Sequence, residues 1–80
     1  MTLKEALQQR ILGLCEEQGV KPNTFAHHCG IDRSTIYSIL GDKSNNPSIT
    51  TIKKICDGTG LTLGQFFSHE LFDGLEQEIE

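Results

Sequence analysis

Three side chains of types that can bind a metal lie next to one another at His27, His28 and Cys29. Adjacent residues of a helix point about 100° apart, whereas zinc needs ligands that converge, for example from positions i and i+4. Cys15, Cys56 and His69 lie far from this trio in the sequence. We therefore expect buried cysteines and surface histidines, with no metal site.

Catalytic side chains show no recognisable grouping either. Cysteine, histidine and acidic residues all occur, but 80 residues leave little room for a concave pocket of the usual ligand size. The glycines are dispersed along the chain instead of forming a phosphate-binding loop. We expect no enzymatic activity, no cofactor and no small-molecule ligand.

The length and composition are those of one short globular domain. No apolar run approaches the roughly 20 residues of a membrane span, and the N-terminal MTLKEALQQR is too charged for a signal peptide. Three widely spaced cysteines fit reduced thiols better than disulfides. These features predict a cytoplasmic protein.

Negative charge is concentrated at the C-terminus. Residues 68–80 contain five acidic residues and no Lys or Arg, so subtracting −5 from the net charge of −4 leaves residues 1–67 at +1. The acidic balance of the whole chain is therefore a poor guide to the partner of its body, and a nucleic acid is not excluded.

Apolar residues recur at helical spacing in five segments, and no segment alternates as a strand would. Thr2 and Glu5 form a capping box before a first helix that ends at Gly19. Pro22 suits the first turn of a second helix, which Gly30 ends.

The remaining helices also have recognisable starts. Asp32 is expected to cap a third helix running to about Leu40, and Ser48 a fourth. Thr62 and Gln65 form a second capping box, before a short fifth helix. The fourth helix has apolar residues at helical spacing, expected to face inward: Ile49, Ile52, Ile55 and Cys56.

The tail has a helical apolar pattern of its own, in Leu71, Phe72, Leu75 and Ile79. Three alternatives stay open for it. In the first, the tail would fold back over the first helix, where Leu12 is otherwise exposed. In the second it would pair with a second subunit, and in the third it would fray, as terminal residues often do.

The segment between the second and third helices has the pattern of a helix-turn-helix motif. Ala26 lies where two helices cross and must be small, Gly30 can take a positive φ, and Ile31 fills the corner. Ile36 would pack the later helix onto the earlier one. With the downstream segments NPSITTIKKI and GLTLGQFF, this pattern resembles the lambda-repressor-like, or Cro/repressor (XRE), family of DNA-binding domains over about residues 7–67.

The resemblance implies an all-α, five-helix fold in which residues 1–67 form the domain, about 22–40 the motif and 68–80 an acidic amphipathic tail. In that family the second helix of the motif enters the major groove. It implies base contacts from Arg33, Ser34, Thr35, Tyr37 and Ser38. It implies phosphate contacts from Lys21, Asn23, Thr24, Lys43, Ser44, Asn45 and Asn46. Pro22 stands where the family usually has a phosphate-binding Gln, which weakens that contact.

The resemblance further implies a sequence-specific transcriptional regulator of bacterial or phage type, expected to be a repressor. Its partner would be double-stranded DNA with a palindromic operator, bound by a homodimer. The alternative is a protein-interaction module, for example antitoxin-like, that keeps this fold but has lost DNA binding. The low charge of residues 1–67 favours the alternative, whereas the polar outward face of the third helix opposes it.

Overall fold

The computed structural model describes residues 1–41 and 46–79, and within these ranges all regular structure is helical. The all-α, five-helix fold is thus confirmed. The elements are α1 (Leu3–Gln18), α2 (Pro22–His28), α3 (Arg33–Leu40), α4 (Ile49–Thr59), α5 (Leu63–Phe67) and a 3-10 turn (Glu70–Phe72). In the described ranges, no helix has the length and apolar character needed to cross a membrane.

The predicted capping boxes form at the starts of α1 and α5. The Thr2 hydroxyl accepts a hydrogen bond from the Glu5 N–H at 3.2 Å, and the Glu5 carboxylate accepts one from the Thr2 N–H at 3.0 Å. Thr62 and Gln65 repeat the arrangement at 3.0 and 2.9 Å. Each box satisfies N–H groups that the first turn of a helix leaves without an intrahelical partner.

Asp32 occupies the N-cap position of α3, but the expected side-chain cap is absent. Its backbone carbonyl accepts the N–H groups of Thr35 and Ile36, at 3.0 and 3.2 Å. The prediction that Asp32 is the N-cap residue of α3 is therefore correct, but the prediction that its side chain caps the helix is wrong.

The core is formed by the inward faces of all five helices. Its largest fully buried side chains are Phe25, Phe66, Ile11, Ile36, Ile52, Ile55 and Cys56. Gly58 of α4 lies so close to the end of α2 that an added Cβ would be 2.6 Å from the Cys29 sulfur. A glycine is required there because two backbones approach each other closely.

Ile49 does not join this core, contrary to the prediction, and 69% of its surface is exposed. Ser48 caps α4 by accepting the Thr51 N–H at 3.1 Å, which makes Ile49 the first residue of the helix. The inward face begins one turn later, at Ile52.

The helical spacing of apolar residues in the tail does not produce an α-helix: the chain forms the 3-10 turn and is then non-helical through Ile79. Phe72 packs against Phe66 and Phe67, with ring centroids 6.1 and 5.0 Å apart. The Glu76 N–H donates to the Met1 carbonyl at 3.1 Å, and its carboxylate lies 3.6 Å from the terminal amine. The tail thus folds back onto the start of α1, but Leu12 stays 45% exposed.

Candidate nucleic-acid interface

The turn between α2 and α3 has the geometry that a helix-turn-helix motif requires. Gly30 has a φ of 67°, in the left-handed region that favours glycine. The Ile31 N–H then donates to the Ala26 carbonyl at 3.0 Å. Ala26 and Ile36 are buried, as predicted, whereas Ile31, expected to be buried in the corner, is only partly buried against the core. The turn therefore fixes the direction in which α3 leaves α2.

The outward face of α3 holds all five side chains predicted to contact bases. Arg33, Ser34, Tyr37 and Ser38 are exposed and Thr35 is half-buried, because Ile36 and Ile39 occupy the inward face. The Arg33 guanidinium lies 5.6 Å from the centre of the Tyr37 ring, within the range of a cation–π contact. The predicted residues thus share one exposed, mostly polar surface.

A shallow groove separates this surface from the start of α4. Six polar side chains line it, together with Ile39 and Pro47: Ser34, Thr35, Ser38, Asn46, Ser48 and Thr51. Hydroxyl and amide groups of this kind can bond to phosphate oxygens or base edges. Asn46, a predicted phosphate contact, therefore adjoins the face of α3.

Ser48 and Thr51 were missed as candidate site residues. Ser48 was interpreted only as a helix cap, a role it does have, and its hydroxyl lies 3.0 Å from that of Thr51. Both line the groove because the fold brings the start of α4 opposite the outward face of α3, and the sequence around Ser48 and Thr51 does not signal that proximity.

The other predicted phosphate contacts fall into two groups. Lys21, Asn23 and Thr24 are exposed at the start of α2, which packs against α3. Pro22 is the first residue of α2, as expected. The second group, Lys43, Ser44 and Asn45, lies outside the described residues.

The histidines and cysteines occupy different environments. His27 and His28 are exposed at the end of α2, whereas Cys15, Cys29 and Cys56 are buried free thiols. Burial, together with the two other thiols, raises the pKa of Cys29 to about 11. Among the described residues, no three His, Cys, Asp or Glu side chains are placed to hold a metal ion together.

These features together define a helix-turn-helix DNA-binding domain. The chain belongs to the Cro/C1-type helix-turn-helix DNA-binding domain family, whose model matches residues 10–71. The resemblance seen in the sequence is thereby confirmed.

The chain is also similar to a protein of known crystal structure, the prophage Lp1 protein 11. The two sequences are 27% identical, and the alignment covers 94% of this chain and 99% of the other, with a TM-score of 0.80. No curated protein matches the chain.

Proposed function

We propose that this protein is a sequence-specific transcriptional regulator that represses by binding operator half-sites in double-stranded DNA. The observation that carries the proposal is the outward face of α3, where Arg33, Ser34 and Ser38 are exposed beside a groove rich in hydroxyls. Membership of a DNA-binding family supports it.

Arg33 is the principal base-reading residue in this proposal. A guanidinium can donate two parallel hydrogen bonds to O6 and N7 of guanine in the major groove. Arg33 is the first residue of α3, and the N-terminal residues of a recognition helix are those that reach base edges. Ser34, Thr35 and Ser38 bond to several bases and add less discrimination.

Phosphate contacts would then orient the domain on the duplex. Lys21, Asn23 and Thr24 supply them from the start of α2, and Lys43, Ser44, Asn45 and Asn46 from the segment between α3 and α4. The protein would act in the cytoplasm as a homodimer, on two half-sites whose centres lie about 34–36 Å apart, one turn of DNA.

To test the proposal, duplexes that bind the purified protein are selected from a pool of random sequences. The affinity of the protein for the selected duplexes is then measured by titration at two salt concentrations. We expect enrichment of a short palindrome, whose half-site spacing gives the geometry of the dimer. Affinity should fall steeply with salt, by about 0.9 log units per log unit of salt for each phosphate neutralised. If no sequence is enriched and binding does not depend on salt, the proposal fails and the protein-interaction module becomes the better account.

A further inference from the structure

We propose that two copies of this chain associate through the shallow groove between the end of α1 and the start of α2, which we call the α1–α2 groove. The proposed function includes a homodimer but names no surface for it, and this inference supplies that surface. It rests on the proposed function for the role of the dimer, although the association itself is measured without DNA.

The α1–α2 groove has one wall from α1 and a second wall from the residues that lead into α2. The first wall consists of Gln9, Leu12, Gly13, Cys15 and Glu16, and the second of Val20, Lys21 and Pro22. The lining surface is mostly apolar, and Leu12 is a large apolar side chain left exposed on α1. An exposed apolar patch with a polar rim is typical of a surface that binds another macromolecule.

The tail of the same chain does not cover this groove. Phe72 packs against the rings of Phe66 and Phe67, and the Glu76 N–H donates to the carbonyl of Met1. The tail is thus held at the beginning of α1, whereas the groove lies at its end. The occupant that we infer is therefore another molecule.

The charges on the two walls indicate that this molecule is a second copy. Glu16 lies on the first wall and Lys21 on the second, both exposed, and none of the ion pairs within the described residues involves either. A two-fold axis through the groove lays each wall on the opposite wall of the other copy. Each Glu16 then faces the partner's Lys21, and Leu12 is covered by the partner's second wall.

A partner carrying one sign of charge fits the groove less well. It would meet either Glu16 or Lys21 with a charge of the same sign, and like charges across an interface oppose binding. The phosphate contact proposed for Lys21 is compatible with this ion pair, because an ammonium group has three N–H donors on a flexible side chain.

The experiment measures the Kd of the dimer by sedimentation of the full chain without DNA. Leu12→Asp places a charge on the apolar wall, and Ile49→Asp is the matched control because Ile49 is an exposed apolar residue outside the groove. Glu16→Lys and Lys21→Glu each place like charges opposite one another. An equimolar mixture of these two variants restores opposite charges between different molecules. Circular dichroism checks that every variant is folded.

We expect a concentration-dependent dimer for the parent and for Ile49→Asp. Leu12→Asp should raise the Kd of the dimer about tenfold or more, because the interface would bury a carboxylate without a partner. Each charge reversal should also raise it about tenfold. The mixture should recover dimers with a Kd close to that of the parent, which an ion pair within one chain would not explain.

The inference is overturned if the parent is monomeric, if Leu12→Asp associates as the parent does, or if the mixture recovers no dimers. These results are distinguishable from failure of the proposed function. A monomer that enriches a DNA sequence refutes the groove as a dimer surface and leaves DNA binding in place. A dimer that depends on Leu12 but binds no duplex supports the groove and refutes the regulator.

Discussion

Arg33 carries most of the proposed sequence reading. It lies at the first position of α3, and the Tyr37 ring four residues later is close enough to hold its guanidinium over the ring face. The neighbouring serines are short and can bond to more than one base. We therefore expect discrimination to be concentrated at one base pair in each half-site.

Replacing Arg33 should affect specificity, and replacing Lys43 should affect affinity. Arg33→Ala should relax the preference at one base of each half-site, with a loss of about 1–3 kcal/mol of discrimination. Lys43→Ala should weaken binding to every sequence alike and reduce the salt slope by about 1. Binding titrations of both variants against single-base operator variants check this. If both variants bind as the parent does, the proposed face is wrong.

The buried Cys29 thiol predicts a dependence of stability on alkaline pH. Its pKa rises from the ordinary 9.0 to about 11, mainly because burial disfavours the thiolate. Between these pH values the unfolded chain releases this proton while the folded protein keeps it, so the free energy of unfolding should fall as pH rises.

Cys29→Ala tests that dependence through denaturant unfolding measured at several pH values. The variant should be less stable throughout, since it loses buried contacts, but its stability should fall less steeply above pH 9.0 because one titrating thiol is gone. Burial also raises the pKa values of Cys15 and Cys56, which remain in the variant, so its pH profile should be shallower than that of the parent but not flat. Parallel pH profiles for parent and variant would contradict the account.

At the scale of elements, the features predicted correctly were those that the local sequence encodes. Thr2 with Glu5, and Thr62 with Gln65, mark helix starts because both partners of each capping box lie within one turn. Gly30 marks the turn of the motif because a positive φ there favours glycine.

Features that depend on distant residues were missed or wrongly predicted. Gln8 bonds across 31 residues and Arg10 across 56, where its guanidinium donates to the Phe66 carbonyl at 2.9 Å. Ile49 fits the apolar period of α4, yet it is exposed because its place in the first turn leaves it outside the core. Sequence periodicity does not reveal which part of a helix another element covers.

Two helical glycines, Gly58 and Gly13, allow a matched test of how closely the helices pack, because only Gly58 lies close to another helix. In Gly58→Ala the new methyl would lie 2.6 Å from the Cys29 sulfur and 2.8 Å from its Cα, so α4 and α2 must separate. We expect a loss of about 1–3 kcal/mol in the free energy of unfolding. At Gly13 in α1 the added methyl would meet nothing within 4 Å beyond its chain neighbours and the backbone of its own helix, and Gly13→Ala should stabilise by about 0.5–1 kcal/mol.

Denaturant unfolding of both variants checks this pair. The sign of the change in stability is what distinguishes the two variants, since both replace a glycine that lies within a helix. Stabilisation by Gly58→Ala would contradict the close approach of α2 and α4.

In the whole molecule, the acidic tail is held by apolar and polar contacts to the body of the chain. Phe72 joins the rings of Phe66 and Phe67, and the backbones of Met1 and Glu76 are hydrogen-bonded. Five carboxylates near DNA would oppose binding. The proposed function therefore requires this tail to lie away from the duplex.

Phe72 should contribute to the stability of the whole domain, although it lies outside the five helices. Phe72→Ala removes a partly buried ring from the aromatic cluster and should lower the free energy of unfolding by about 1–3 kcal/mol. Ile79, 77% exposed in the same tail, is the control, and Ile79→Ala should change stability by less than about 0.5 kcal/mol. Thermal unfolding checks both, and equal small effects would mean that the tail does not stabilise the body.

The most direct test of the account is a magnetic-resonance titration of isotope-labelled protein with an enriched duplex, following each backbone amide. We expect the largest shift changes at the start of α2, along α3 and in residues 43–46, with little change from Glu70 to Ile79. Large changes confined to the exposed Leu12 region or the tail, with α3 unaffected, would contradict it.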